Sequence, residues 1–321
     1  MLCEEIEVNG ALRQYGLDGA KVTEAYRELI AKELLQCEAQ GDVAEWKFDG
    51  TRVIAKYASA TVNPVILQNR EGRIYTRRLP EIVNAFKSYL GGSWVIDGEV
   101  VYVDKNGREQ FTASQRRCST QEPLPSLIRD FPVEYAVWDL LSINNVNIED
   151  SAYLRRKVAL DELLSKVDDD VVHYVPYMMD LQMAWKQVIK EDREGLIVKD
   201  SKSGYEHKRS WKWRKVKNWK WEKLHVVGYT PGIRARFHFF GALVLENSEG
   251  QYRGLAGSGF DDGDLQRFKH LFADAPDMSK PFSDSQVGSC YTAKKVETEV
   301  LVKYYQLTEA NVMRFPIYSM G

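Results

Sequence analysis

Apolar residues recur at spacings of three and four through the first part of the chain, and then the rhythm changes. Val22, Tyr26, Leu29, Ile30, Leu34 and Leu35 form one stripe between residues 17 and 40, with Asp18 and Thr23 as candidate starts. This predicts an amphipathic helix. From Val43 short β-like runs broken by turn residues take over: VAEW, TRVIAKY, VILQN, SWVIDGEVVYV, VEYAVWDLL and EGLIVKD. Helical stretches are expected between them near Leu79 to Leu90, Ser151 to Val167 and Leu181 to Lys190. That mixture predicts an α+β domain built on antiparallel sheets.

From about Trp221 the runs become LHVVGYT, FFGALVLEN, QYRGLAGSGF and VETEVLVKYYQLT, separated by Gly, Asn and Asp turns. Short strands at this spacing predict a small barrel of about five strands, as in an OB-fold. The change of pattern near residues 218 to 222 places a first domain at 1–220 and a second at 221–321. No internal repeat or low-complexity linker interrupts them.

Composition adds limits. With 44% hydrophobic and 28% charged residues, the chain is ordinary globular material and is expected to fold throughout. Cys3, Cys37, Cys118 and Cys290 show no C-x-x-C spacing, which argues against a zinc site or a disulfide framework and for reduced thiols in the cytoplasm. The start, MLCEEIEVNG, lacks the basic and apolar regions of a secretion signal. No apolar run is long enough to span a bilayer, so no membrane association is expected. Net charge is −2, so affinity for nucleic acid has to come from charges gathered on one surface. Residues 206 to 223, EHKRSWKWRKVKNWKWEK, hold eight Lys or Arg and four Trp. Such interleaving suits phosphates and bases. It equally suits an amphipathic strand with solvated lysines and tryptophans in the core.

The chemistry-bearing positions start at Lys47, which opens K-F-D-G-T-R between two apolar runs and therefore sits at a strand-to-strand turn with Asp49 and Gly50. A lysine is a nucleophile only when neutral, and nearby cations or desolvation lower its pKa. Alone, a K-x-D-G is equally a solvated hairpin lysine. It is followed by Asp97, Gly98 and Glu99 in WVIDGEVVYV, by Trp138 and Asp139 in YAVWDLL, by Glu194 to Lys199 in EGLIVK, and by Lys215 and Lys217 in WRKVK. Carboxylates inside apolar strands are costly without a partner. Glu99 and Glu194 are candidates to converge on one pocket, holding a divalent cation or a ribose hydroxyl.

In order and spacing these segments resemble the covalent nucleotidyltransferases, and among them the ATP-dependent DNA ligases, over nearly all of the chain beyond residue 40. The resemblance implies a nucleotidyltransferase (adenylation) domain followed by an OB-fold, with ATP and Mg²⁺ as cofactors and nicked duplex DNA as partner. Lys47 is similar in context to the lysine that takes AMP from ATP. Glu45, Arg52, Arg70, Glu99 and Trp138 are implied to contact the nucleotide, Glu99 at the ribose and Trp138 against adenine. Arg70 lies in LQNREGRIYTRRLPEI, which resembles the family's S-R-N-G segment with Asn69 in place of its serine. Glu194, with Glu99, is implied to hold the metal. Lys199, Lys215 and Lys217 are implied catalytic lysines at the α-phosphate, and with Mg²⁺ they are expected to depress the pKa of Lys47. Arg52 and Arg70 are implied to reach the nick.

The segments VVGYTPGIRARFHFFGALVLEN, LAGSGFDDGDL and YYQLTEANVMRFP resemble the family's OB-fold signatures, and Arg234 and Arg236 are candidates for DNA phosphates. The sequence ends at MRFPIYSMG, without the R-x-D-K motif that orients pyrophosphate in larger members. It therefore resembles the minimal two-domain, phage-type ligases, expected to act as a monomer in the cytoplasm, including a host's. The rival readings are an RNA ligase or an mRNA-capping guanylyltransferase, and a non-catalytic single-strand-binding OB protein. The last accounts for the Trp and Lys cluster but not for Lys47, Glu99, Glu194 and Lys199. An NAD-dependent ligase is disfavoured by the short region before Lys47 and the lack of a cysteine zinc site.

Overall fold

The computed structural model describes all residues except Met1, Glu7, Ala60, Ser88, Leu90 and Asp168. The chain divides into two compact units: Met1–Ile6 with Glu33–Val216, and Glu7–Lys32 with Lys217–Gly321. The expected division at 220/221 differs from this chiefly in residues 7–32, which go with the second unit.

Among the described residues the first unit carries the strands β1 (Leu2–Glu5), β2 (Val43–Trp46), β3 (Thr51–Tyr57), β4 (Val65–Gln68), β5 (Trp94–Val101), β6 (Glu134–Ile143), β7 (Val146–Asn147), β8 (Val172–Tyr174), β9 (Gly195–Lys199) and all but the last residue of β10 (Arg209–Lys217). Helix α1 (Gly19–Ala39) has residues on both sides of the division at Lys32. It is followed by α2 (Pro80–Ala85), α3 (Phe111–Ser119), α4 (Pro125–Asp130), α5 (Tyr153–Leu164) and α6 (Leu181–Glu191). One sheet has the order β1-β10-β9-β2 and another β4-β3-β5-β6-β7, with β8 on β6. The pairings are antiparallel as expected at β2/β9, β3/β4, β3/β5 and β5/β6, but parallel at β1/β10 and β6/β8.

The reasons are local. In TRVIAKY the alternate residues Val53, Ala55 and Tyr57 are buried, the period-two pattern of a half-buried strand. In β9 almost every side chain is buried, so a continuous apolar run is needed there. Helix α2 starts with Pro80, whose fixed φ suits a first turn, and it is shorter than the expected Leu79–Leu90 stretch, of which Leu90 lies outside the described residues. Helices α3 and α4 were not expected. Val53, Leu67, Phe86, Trp94, Tyr135 and Leu160 belong to the main core of this unit. A second cluster takes Val43 and Trp213 from one sheet and Leu141 from the other, with Tyr153 and Tyr205 between.

The second unit holds β11 (Lys220–Pro231), β12 (Phe240–Glu246), β13 (Tyr252–Ala256), α7 (Asp262–Asp274), α8 (Asp284–Val287), β14 (Thr292–Ala293), β15 (Glu299–Tyr304) and β16 (Ile317–Met320). Among the described residues its strands form one sheet of order β13-β12-β11-β15-β16, with β14 on β11, six where about five were expected. The chain around β16 returns to β13: Met313 N–H donates to Arg253 O at 2.8 Å and Tyr318 N–H to Ser258 O at 2.9 Å. Helix α7 buries Leu265, Phe268 and Phe272 against Phe240, Leu243 and Val300. Its start is closed by a reciprocal box between Asp261 and Asp264. No helix among the described residues is long and apolar enough to cross a membrane.

Candidate functional site

Strands β2 and β3 belong to different sheets, so the K-F-D-G stretch is the crossing from one to the other and not a hairpin turn. Lys47 N–H still pairs with β9, donating to Gly195 O at 3.0 Å. This register puts Lys47 beside Glu194, and its Nζ lies 2.5 Å from Glu194 Oε1. Gly50 allows the close approach to β5, because a Cβ there would collide with the Val100 carbonyl and the Glu99 side chain. Its N–H donates to Glu99 Oε1 at 3.2 Å. Asp49 N–H donates to Glu109 Oε2 at 2.5 Å.

Lys47 is therefore surrounded by acids, and these alone shift its pKa opposite to the depression expected from Mg²⁺ and the neighbouring lysines. Burial alone would lower it, but Glu194, Glu99 and Asp49 outweigh burial and hold the ammonium above the ordinary lysine value. The acids respond in turn. Burial, with Glu194 and Glu109 close by, pushes Glu99 up to about 8 although Lys47 opposes it. Burial, with Glu194 and Asp49, pushes Glu109 up to about 7. Glu109 was missed by the sequence reading. Its only signal was an acid returning to β5 after the D-K-N-G turn, paired as Val103 with Glu109.

A pocket of about 400 Å³ opens beside Lys47. Its walls include Glu45, Arg52, Arg70, Glu99, Trp138 and Lys199, and also Trp213 and Lys215 from β10 and Cys3 from β1. Eight of the expected residues thus meet at one cavity with Lys47 counted, while Glu194 reaches it through its pairing with Lys47. Trp138 is half-buried, lining the pocket while also packing against the second core cluster. Arg52 is held by Asp97, from Nε at 2.9 Å and Nη2 at 2.5 Å, and by the Tyr205 hydroxyl at 2.7 Å. Its guanidinium lies 5.8 Å from the Trp138 ring centroid. Burial would raise Asp97, but Arg52 outweighs it and keeps the carboxylate ionised. Arg70 is exposed at the rim. Lys215 pairs with Glu5 at 3.2 Å.

Beneath the pocket Glu45 is buried and takes the ammonium of Lys199, the hydroxyl of Tyr153 and, at 2.9 Å, the ammonium of Lys157. Burial would raise Glu45, yet Lys157 and Lys199 hold it below the ordinary glutamate value. Asp139 makes two bonds to Arg156, at 2.8 and 2.9 Å, and is structural. Lys157 and Tyr153 carried no sequence signal, since partners on α5 cannot be read from a strand motif.

Lys217 does not line this pocket. It falls in the second unit and stands 4.7 Å from the Trp219 ring centroid. Of the four tryptophans between 206 and 223, Trp213, Trp219 and Trp221 are buried and only Trp211 is exposed, at 65%, so three of them answer to the core reading. Arg234 is exposed. Arg236 turns inward, donating to Gly257 O at 2.6 Å and Gly241 O at 3.3 Å. Among the described residues no group of three or more His, Cys, Asp or Glu is arranged to hold a metal by itself. All four cysteines are free thiols.

Comparison with known proteins gives a family model described as ATP dependent DNA ligase domain, which matches residues 20–217. The chain is 28% identical over 307 residues to the multifunctional non-homologous end joining protein LigD of Pseudomonas aeruginosa, covering 91% of this chain and 35% of that protein. It is 26% identical over 306 residues to a DNA ligase of Thermococcus onnurineus, covering 91% of this chain and 51% of that one. The chain thus spans about half or less of the length of these relatives. Among solved structures, a mycobacterial DNA ligase D complexed with ATP and MES superposes with a TM-score of 0.51 at 23% identity, covering 87% of this chain and 88% of that one. A Lig E DNA ligase superposes with a TM-score of 0.61 at 18% identity, covering 87% and 91%. Both likenesses concern the fold.

Proposed function

The chain belongs to the ATP-dependent DNA ligase family, and from that premise we propose that the protein adenylates itself on Lys47 and uses the AMP to seal nicks in duplex DNA. The observation that carries this reading is the position of Lys47 at the mouth of a pocket walled by an aromatic ring, Trp138, and by the cations Arg52, Lys199 and Lys215. The Lys47 ammonium first gives up a proton; the amine lone pair then attacks the α-phosphorus of ATP, the bond to pyrophosphate breaks, and a second proton leaves the nitrogen as the phosphoramidate forms. Glu194, 2.5 Å away, pairs with the ammonium; turning to a cation instead, it frees the amine, and the protons leave to solvent. Trp138 offers a face for adenine and Glu99 an acceptor for the ribose. Lys199 and Lys215 supply fixed positive charge where phosphoryl charge develops.

The carboxylates of Glu194 and Glu99 beside Lys47 suit a divalent cation whose remaining ligands come from the nucleotide. Glu194 and Glu99 would hold Mg²⁺, which supplies positive charge against both the phosphate oxygens and the acids that now stabilise the ammonium. In the second unit, the return of the β16 segment to β13 supports an OB-type barrel, with Arg234 as its candidate phosphate contact and Arg236 bracing the loop. The test is incubation of the pure protein with Mg²⁺ and ATP, GTP or NAD labelled in the nucleotide to be donated. Label from ATP is expected on the wild type and none on Lys47→Ala. Label persisting on Lys47→Ala would remove Lys47, and label from GTP alone would favour a capping-type guanylyltransferase.

A further inference from the structure

Beneath the pocket, one buried carboxylate is shared by two ammonium groups. Glu45 is 2% exposed. Its Oε2 receives Lys199, and its Oε1 receives the Tyr153 hydroxyl and, at 2.9 Å, Lys157. The two lysines differ in where they can go. Lys199 lines the pocket, so its ammonium borders the space a nucleotide would take. Lys157, on α5, is fully buried and anchored from behind, donating to Val175 O at 2.5 Å and to Trp138 O at 3.3 Å. It also stands 4.0 Å from the Tyr174 ring centroid.

We infer that Lys157 is a positioning residue, which keeps Glu45 compensated so that Lys199 is released to the nucleotide phosphate. This rests on the reading of the cavity as an ATP pocket. A carboxylate buried this deeply carries a heavy penalty once its last counterion leaves. If Lys199 were its only cation, moving Lys199 onto a phosphate would expose Glu45 to that penalty, and the lysine would stay where it is. With Lys157 fixed on the other oxygen, the exchange leaves Glu45 still paired. The bond from Lys157 to the Trp138 carbonyl also ties the same amine to the strand that presents the Trp138 ring.

The test is a double-mutant cycle in the full chain with Lys157→Met, Glu45→Gln and the pair, with Lys157→Arg as the conservative control. Two readouts are taken: the single-turnover rate of self-adenylation, and the ATP-dependent rise of the thermal midpoint measured in a Lys47→Ala background, where no chemistry occurs. Lys157→Met is expected to slow self-adenylation by roughly tenfold or more with a smaller change in KM, because a phosphate contact is lost chiefly in the transition state. The pair should be faster than Lys157→Met alone, since a neutral amide no longer has to retain Lys199, and the midpoint shift should follow the same order. Lys157→Arg should stay near wild type.

A packing role predicts the opposite ordering, with the pair at least as impaired as the worse single variant; that result, or a wild-type rate for Lys157→Met, would overturn the inference. Should Lys157→Met fail to fold, the pair decides: folding and adenylating within a few-fold of Glu45→Gln supports the inference, and adenylating far below Glu45→Gln refutes it. A wild-type protein that takes no label from ATP would instead overturn the pocket reading, and this inference with it.

Discussion

Lys47 carries its charge among three acids, Glu194, Glu99 and Asp49, and this shifts its pKa opposite to what its motif suggests. The K-x-D-G pattern singles out Lys47, which the structure places at the pocket, yet it says nothing of Glu109 or Glu194, which arrive from segments far along the chain. A pKa is set by whichever charges end up nearby, so its direction could not be read from the motif alone. Glu109 makes this testable. Its folded value, about 7, lies above the ordinary 4.5, so the native state binds its proton more tightly than the unfolded chain does. Its contribution to stability is then fully present below pH 4.5 and is lost as the pH rises through about 7. Thermal midpoints of the ligand-free protein measured at steps across that window should show a smaller decline in Glu109→Gln than in the wild type. Parallel curves would mean that Glu109 is ionised throughout and faces the solvent.

Elements were legible where burial imposes one clear period. TRVIAKY and EGLIVK read as strands because one buries alternate residues and the other nearly all of them. Strand β10 was harder. Its lysines and tryptophans read equally as a binding surface, and only its pairing in the sheet decides that Trp213 and Val216 point inward while Trp211 stays outside. The loop between β11 and β12 shows the same limit. Arg234 and Arg236 look alike in GIRARF, but Arg236 is bonded to two carbonyls while Arg234, at φ 53°, is exposed. The two therefore separate in a DNA-binding assay. Arg234→Ala should flatten the log–log salt dependence by about one unit, the effect of one lost phosphate contact. Arg236→Ala should lower the thermal midpoint, having removed the brace between Gly241 and Gly257. Equal slopes for Arg234→Ala and the wild type would take Arg234 off the DNA.

At the scale of the whole molecule, the change of texture near Trp221 marked the second unit, but it gave no sign that residues 7–32 belong there. Nothing in an amphipathic stripe names its partner. The contacts that bind this segment to the second unit are specific: Tyr26 packs its ring 5.0 Å from that of Trp221 and donates its hydroxyl to Lys217 O at 2.7 Å. Thr23 Oγ1 accepts from Trp221 N–H at 2.9 Å, and Gly19 lies so close to the Trp221 carbonyl that a Cβ there would collide with it. A fragment of residues 217–321 would uncover Trp221 and lose a buried aromatic partner, a loss of roughly 3–5 kcal/mol for a large side chain. That is a large part of the stability of an ordinary small domain. Such a fragment is expected to unfold with a broad, weakly cooperative transition and a red-shifted tryptophan emission. Adding a peptide of residues 7–32 should sharpen the transition and shift the emission to the blue, whereas the same peptide with Tyr26→Ala should do so much less. If the bare fragment already melts as sharply as it does with the peptide, residues 7–32 are dispensable to the second unit, and the boundary near residue 220 that the sequence suggests is the better description of the domain.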